Sequence, residues 1–177
     1  MASENEWLLN YIDTHQDFPI EGVDFKWYGR LLKDPEAFGK VISLFADRYR
    51  NKEIDAIAGL DSRGFVFGSA LAYELKLPFI LIRKKGKLPG EVYSINYGLH
   101  YGKDCLEIEK NAFKKGAKVL IIDDVLATGG TSIAAGKLVE MAGGIVFETA
   151  FLEEIVNLKG REASPYPVFS LIKVDGR

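Results

Sequence analysis

Features that would commit a chain to a membrane, a disulfide framework or a nucleic acid are scarce in this sequence. Cys105 is the single cysteine, which excludes an internal disulfide and a multi-cysteine metal site. Apolar runs such as residues 79–82 are far shorter than the roughly 20 residues that a membrane helix needs. Neither sign of charge dominates, with 23 basic against 25 acidic residues, so there is no electrostatic footprint for nucleic acid.

The first ten residues lack the basic start and apolar centre of a signal peptide. Together with the missing membrane and disulfide signals, this predicts a cytoplasmic protein. Neither a membrane nor a nucleic acid is expected as a partner.

What the chain does contain is typical of a single α/β domain. Its 177 residues, 47% of them hydrophobic, can bury one core. Helices are predicted near residues 6–12 and over 35–50, 64–75 and 128–142, and strands over 54–60, 79–83, 118–124, 145–152 and 168–174. This alternation favours a parallel sheet covered on both faces, with ligands at the carboxyl ends of its strands. Residues 84–104 are predicted as one long loop, and loops of that length are usually functional.

The most informative segment is residues 118–132, where a buried strand ends in two acids and a loop of small residues leads into a helix. The loop comprises Ala127, Thr128, Gly129, Gly130 and Thr131. Unpaired N–H groups and the positive end of the helix dipole would suit a phosphate there. Asp123 and Asp124 would repel a phosphate and are better suited to the vicinal hydroxyls of a sugar. An ordinary strand-to-helix turn is the alternative for any one of these residues, but not for the whole run.

This segment resembles the motif with which type I phosphoribosyltransferases bind 5-phosphoribosyl-1-pyrophosphate. It lacks the Gly-Lys-Ser/Thr ending of a P-loop and the glycine spacing of a dinucleotide fingerprint. Six further segments are similar to the adenine phosphoribosyltransferase family in the family's own order: residues 17–25, 58–68, 82–90, 97–103, 106–108 and 158–162. The resemblance implies the type I fold in one domain over 1–177, a mostly parallel central sheet flanked by helices. It also implies a small N-terminal hood over about 1–33 and a flexible catalytic loop over about 84–104.

The resemblance also implies roles for the residues that would bind phosphoribosyl pyrophosphate. Asp123 and Asp124 would hold the ribose hydroxyls, and residues 127–131 the 5′-phosphate. Arg63 would contact pyrophosphate, and a strained peptide is expected near Asp61 and Ser62. The basic residues that would meet the leaving group are Arg83 and Lys84, ahead of Lys87.

For the base, the resemblance implies stacking between Phe25 and Val125, with backbone groups of Asp24 and Lys26 at the adenine edge. Tyr101 would lie beside the reacting atoms. His100 stands where the family usually has a glutamate for proton exchange with the purine, and a histidine can do the same work. Solvent-facing loop placement is the alternative for His100, and plain core packing is the alternative for Phe25.

Two departures bear on specificity. His100-Tyr101-Gly102 replaces the family's Glu-Tyr-Gly, and Phe25-Lys26-Trp27 replaces Phe-Arg-Asp, with Asp24 in place of an apolar residue. They leave a 6-oxopurine such as hypoxanthine or guanine as the alternative substrate. A regulator that senses phosphoribosyl pyrophosphate without catalysis is the alternative from another class, but no length remains for a DNA-binding module.

The resemblance therefore predicts an enzyme of purine salvage that makes AMP and pyrophosphate from adenine and phosphoribosyl pyrophosphate. Mg²⁺ is expected as cofactor, held by pyrophosphate and ribose oxygens with no direct protein ligand. A homodimer is expected from the family alone.

Overall fold

The computed structural model describes residues 5–98 and 104–176. Its first elements form a small N-terminal unit: a 3₁₀ helix at Glu6–Tyr11, strands β1 (Asp13–His15) and β2 (Phe25–Trp27), and helix α1 (Gly29–Lys33). β1 and β2 pair antiparallel as a two-stranded sheet of their own. This unit covers residues of the main core through Leu8, Tyr28 and Leu31, which are all buried.

The remaining elements alternate between helices and strands. In chain order they are α2 (Pro35–Tyr49), β3 (Ala56–Leu60), α3 (Arg63–Leu75), β4 (Phe79–Lys84), β5 (Val92–Tyr97), β6 (Asp104–Glu109), β7 (Lys118–Leu126), α4 (Gly130–Met141), β8 (Ile145–Ile155), α5 (Gly160–Ala163) and β9 (Val168–Val174). A 3₁₀ turn at Val156–Leu158 joins β8 to α5.

The seven strands from β3 to β9 form the central sheet in the order β5-β6-β4-β3-β7-β8-β9. The five strands from β4 to β9 in that order are parallel, and β6 and β5 extend the sheet antiparallel at one edge. β3 and most of β7 are buried because helices cover both faces of the sheet. The predicted α/β fold with a mostly parallel sheet flanked by helices is confirmed.

Local sequence signals explain where the helices lie. α2 begins after Asp34, whose side chain accepts hydrogen bonds from the N–H groups of Glu36 and Ala37 at 3.0 Å, with Pro35 in the first turn. α2 and α3 pack with the N-terminal unit on one face of the sheet, and α4 packs on the other. Among the described residues, no helix is long and apolar enough to cross a membrane.

Two predicted elements differ from the structure. Residues 6–11, predicted as a helix, form a 3₁₀ helix closed by hydrogen bonds such as Leu8 N to Asn5 O at 3.0 Å. Residues 84–104, predicted as one loop, contain strand β5. It forms because residues 92–97 pair with β6 over six positions, while Tyr93, Ile95 and Tyr97 pack on the core.

Candidate active site

A cavity of about 360 Å³ opens at the carboxyl ends of β3 and β7. From these neighbouring strands the chain turns in opposite directions, since α3 leads to β4 on one side and α4 to β8 on the other. Such a switch point is where parallel α/β sheets bind their ligands. The lining residues are Asp61, Ser62, Arg63, Lys84, Tyr97, residues 123–132 and Phe151.

Residues 127–131, which we call the phosphate loop, lie between β7 and the first turn of α4. Gly129 has φ 85°, a left-handed conformation that favours glycine, and a Cβ there would lie 3.0 Å from the carbonyl oxygen of Gly160. The N-terminal N–H groups of this 12-residue helix face the cavity end of the sheet, where the helix dipole is positive. The loop therefore has the geometry of an anion site.

The phosphate loop is packed against the segment that follows β8. A Cβ on Gly160 would overlap the carbonyl oxygen of Ala127, so the two backbones touch without a side chain between them. Lys159, just before it, also has a positive φ of 57°. Gly160 lies in the family-like segment 158–162 but was not predicted as a site residue, because its partner lies more than thirty positions away.

The acid pair at the end of β7 is held tightly. Asp124 is only 2% exposed, and its Oδ2 lies 2.9 Å from Nε of Arg63 without hydrogen-bond geometry. Oδ1 of Asp123 accepts a hydrogen bond from the Asp124 N–H at 2.9 Å. Burial, and then the neighbouring Asp124 carboxylate, raises the pKa of Asp123 well above its usual value. Asp123 and Asp124 both line the cavity and can accept hydrogen bonds from a ligand's hydroxyl groups.

Arg63 joins the N-terminal unit to this acid pair. Its Nη1 donates to the carbonyl oxygen of Lys26 at 2.6 Å, and its guanidinium lies 4.8 Å from the centre of the Phe25 ring. Arg63, which was predicted to contact pyrophosphate, thus lines the cavity. Its Nη1 and Nε already contact Lys26 and Asp124.

Of the other predicted cations, only some line the cavity. Lys84 lines the cavity. Arg83 instead turns to Asp61, with Nε 3.2 Å from Oδ2, and donates to the carbonyl oxygen of Lys87 at 3.3 Å. The peptide bond between Asp61 and Ser62 is cis, at the position where the resemblance implied an unusual peptide.

The residues predicted to contact the base are not all brought together. Val125 lines the cavity, whereas Phe25 lines a separate apolar cavity of about 310 Å³ with His15, Phe18 and Trp27. Among the described residues, the lining of the first cavity includes neither Asp24 nor Lys26. The Arg63 guanidinium, which lines the first cavity, lies 4.8 Å from the centre of the Phe25 ring. His100 and Tyr101 lie outside the described residues.

Sequence reasoning did not single out two aromatic side chains of the cavity. Tyr97 ends β5 and lies over the phosphate loop, where a Cβ on Gly130 would be 3.9 Å from its ring. Phe151 is the β8 neighbour of Asp123 in the parallel pairing of β7 and β8. The alternation of Tyr93, Ile95 and Tyr97 was a strand signal within the predicted loop and could have located Tyr97.

Comparison with known proteins gives a consistent result. The model of the phosphoribosyl transferase domain matches residues 28–174. An adenine phosphoribosyltransferase of Chloroflexus aurantiacus is 50% identical over 167 residues, which are 94% of this chain and 96% of that protein. One of Rattus norvegicus is 48% identical over 177 residues, covering 98% of each chain.

Solved structures agree with these relatives. The adenine phosphoribosyltransferase of Rhodothermus marinus has a TM-score of 0.91 at 41% identity, over 96% of this chain and 98% of that one. The enzyme of Saccharomyces cerevisiae, solved with an imino-altritol bisphosphate and adenine, has a TM-score of 0.89 at 40% identity, over 95% and 98% of the two chains.

Proposed function

This chain belongs to the adenine phosphoribosyltransferase family, and on that premise we propose how its own residues carry out the reaction. It is an enzyme of purine salvage that transfers the 5-phosphoribosyl group of phosphoribosyl pyrophosphate to adenine, giving AMP and pyrophosphate. The prediction of adenine transfer is confirmed over the oxopurine and sensor alternatives. The observation that carries the proposed mechanism is the acid pair beside the phosphate loop at the sheet's switch point.

We propose that the phosphate loop binds the 5′-phosphate through its N–H groups and the hydroxyls of Thr128 and Thr131. Asp123 and Asp124 accept hydrogen bonds from the ribose 2′- and 3′-hydroxyls. Holding both ends of the sugar presents its anomeric carbon to the base, and this orientation converts an encounter into a positioned reaction.

In the chemical step, a ring nitrogen of adenine forms a bond to the anomeric carbon while the bond to pyrophosphate breaks. The electron pair of the broken bond leaves with the pyrophosphate oxygen, and the sugar passes through a transition state resembling an oxocarbenium ion. Lys84 lines the cavity and stabilises the leaving charge, and we propose that Arg63, Arg83 and Lys87 reach the pyrophosphate as well. We propose that closure of residues 84–104 over the site excludes water.

Phe25 and Val125 are proposed to hold the base between them, with the backbones of Asp24 and Lys26 at its edge. We propose that His100 accepts the proton that the purine loses and that Tyr101 contacts the reacting region.

Mg²⁺ is proposed as cofactor. Among the described residues, no three His, Cys, Asp or Glu side chains cluster closely enough to hold a metal ion. Pyrophosphate and ribose oxygens would therefore be the main ligands of Mg²⁺, with the cavity's half-buried Asp123 nearby. When bound, the ion would neutralise charge on the pyrophosphate. Homodimer formation and a cytoplasmic location remain predictions.

The test is pyrophosphate release with phosphoribosyl pyrophosphate, Mg²⁺ and each of adenine, hypoxanthine, guanine and xanthine. We expect turnover with adenine, its loss on chelation of the metal, and its recovery on adding Mg²⁺. As a control, Asn51→Gly changes an exposed turn residue that does not line the cavity, and it should leave turnover unchanged. Turnover with an oxopurine in place of adenine would overturn the assignment of the base.

A further inference from the structure

Glu153 is a buried carboxylate beside the base pocket to which the proposed mechanism gives no role. It is 1% exposed and lies on β8. In the parallel pairing of β7 and β8 its Cα partner is Val125, which lines the cavity. Glu153 is therefore one strand away from a proposed base contact.

Both oxygens of Glu153 have partners in the N-terminal unit. Oε2 accepts a hydrogen bond from the Tyr28 hydroxyl at 3.0 Å, and Oε1 lies 3.9 Å from Nζ of Lys26. Lys26 is itself 13% exposed in its side chain and donates to Oγ1 of Thr14 on β1 at 3.0 Å. One carboxylate thus ties β1, β2 and the start of α1 to the end of β8.

Burying this carboxylate has a cost. Burial raises the pKa of Glu153, against the opposing effects of the Lys26 ammonium and the Tyr28 hydroxyl. Replacing a buried ion pair such as Glu153 and Lys26 by two apolar residues of similar size is often neutral or stabilising. Packing alone therefore does not explain the charge of Glu153. The charge is better explained if it fixes the position of Lys26.

The partner that Glu153 fixes is the strand that reaches the site. The side chain of Lys26 points to Glu153, while its carbonyl oxygen accepts from Nη1 of Arg63 at the cavity wall. Phe25 precedes it and Tyr28 follows two residues later, and the Arg63 guanidinium lies against both rings at 4.8 and 5.7 Å. A shift of Lys26 would move the whole base-contacting edge of β2.

We propose that Glu153 is a positioning residue that sets the placement of β2 over the pocket and thereby the affinity for adenine, but not for phosphoribosyl pyrophosphate. This rests on the proposed base contacts at Phe25 and Lys26. The phosphate loop and the acid pair belong to the segment from β7 to α4, and the long side chain of Arg63 makes the contact that links β2 to them.

Glu153→Gln tests the proposal because it keeps the size and can still accept from Tyr28 but loses the charge facing Lys26. We expect KM for adenine to rise about tenfold, the effect of a lost charge-assisted contact, with KM for phosphoribosyl pyrophosphate within about twofold. Lys26→Met removes the same ion pair from the other side. It should likewise raise KM for adenine and leave KM for phosphoribosyl pyrophosphate nearly unchanged. The double variant should be no worse than either single one.

Glu148→Gln is the matched control, since Glu148 is also a buried carboxylate on β8 but binds Arg48 and Tyr49 away from the cavity. It should leave the ratio of the two KM values unchanged. An unchanged KM for adenine in Glu153→Gln, or an equal rise in both KM values, would overturn the proposal. If Glu153→Gln does not fold, Lys26→Met decides on the same criteria.

A second measurement does not depend on turnover. In a Trp7→Phe background, Trp27 is the one remaining tryptophan and adjoins Lys26. Within the described residues the Trp7 indole N–H has no hydrogen-bond partner, so the replacement removes none. We expect acrylamide to quench Trp27 more strongly in Glu153→Gln than in Glu148→Gln, and equal quenching would contradict the proposal. Absence of adenine turnover in the unmodified protein would instead overturn the proposed function.

Discussion

At the scale of single residues, the acid pair is electrostatically unfavourable. Asp123 and Asp124 are adjacent carboxylates at the end of a buried strand, and Arg63 contacts Asp124. Burial and mutual repulsion oppose having both ionised. Strong pKa perturbation of this kind clusters at functional sites, where stability is given up for binding.

Asp123→Asn should therefore stabilise the protein while lowering its activity. Because the folded-state pKa of Asp123 is raised, its ionisation destabilises the fold as pH rises from the unfolded pKa through the folded one. The variant lacks this loss, so its advantage in Tm should be small near about pH 5 and reach about 2–4 °C near about pH 8, as for about 1 kcal/mol in a chain of this size. Thermal melts at both pH values measure the effect, and KM for phosphoribosyl pyrophosphate should rise about tenfold or more.

Asp47→Asn provides the comparison, because Asp47 is exposed on α2 and far from the cavity. Its Tm should stay within about 2 °C of the parent at both pH values. If the Tm of Asp123→Asn at the higher pH were below that of the parent protein, the electrostatic explanation would be contradicted.

At the scale of elements, the phosphate loop depends on a backbone contact made by a distant segment. Gly160 leaves no room for a side chain against Ala127. Gly160→Ala should displace the loop and raise KM for phosphoribosyl pyrophosphate about tenfold or more, with a smaller change in KM for adenine, because the loop faces the 5′-phosphate. Steady-state kinetics with each substrate varied in turn measures the split.

Gly39→Ala is the counterpart, since Gly39 lies within α2 and a Cβ there meets nothing within 4 Å. Alanine is the better helix former by about 0.5–1 kcal/mol, so this variant should melt slightly higher with unchanged kinetics. Equal kinetic effects of the two substitutions would count against a specific contact at Gly160.

Elements whose signals are local were predictable from the sequence. The strand, acid pair, small-residue loop and helix over 118–141 follow from consecutive residues, and the α2 cap from Asp34 and Pro35. β5 was missed because the alternation of Tyr93, Ile95 and Tyr97 is short and the strand is completed by pairing with β6. The Gly160 contact was missed because it joins separate parts of the chain. The engagement of Arg63 by Lys26 depends on how the N-terminal unit docks, which no local pattern encodes.

At the scale of the whole molecule, α2 is fastened to the sheet by one polar cluster. Nε and Nη2 of Arg48 donate to the two oxygens of Glu148 at 2.9 and 2.8 Å, and the Tyr49 hydroxyl donates at 2.6 Å. Although burial raises it, these hydrogen bonds bring the net pKa of Glu148 below its usual value. The cluster couples a surface helix to the strand that also carries Phe151 and Glu153.

Glu148→Gln should lower the stability of the whole domain by about 1.5–3 kcal/mol, the range for a charge-assisted hydrogen bond, which corresponds to about 3–12 °C in Tm. Because the folded-state pKa of Glu148 is lowered, its contribution is present above the unfolded pKa and is lost as pH falls through the folded one. The difference in Tm between parent and variant should thus narrow below about pH 4.5. A constant difference over that range would show that charge is not involved.

The engagement of Arg63 has a consequence for the heat of binding. Its donors already contact the Lys26 carbonyl and the Asp124 carboxylate, and its flat face lies on Phe25. A phosphate oxygen or hydroxyl that bonds to Nη1 where Lys26 now does, or to Nε where Asp124 lies, displaces that internal partner. At this wall the ligand then exchanges one hydrogen-bond partner of Arg63 for another. The binding enthalpy measured by calorimetry should therefore be less favourable than the number of hydrogen bonds in the complex suggests.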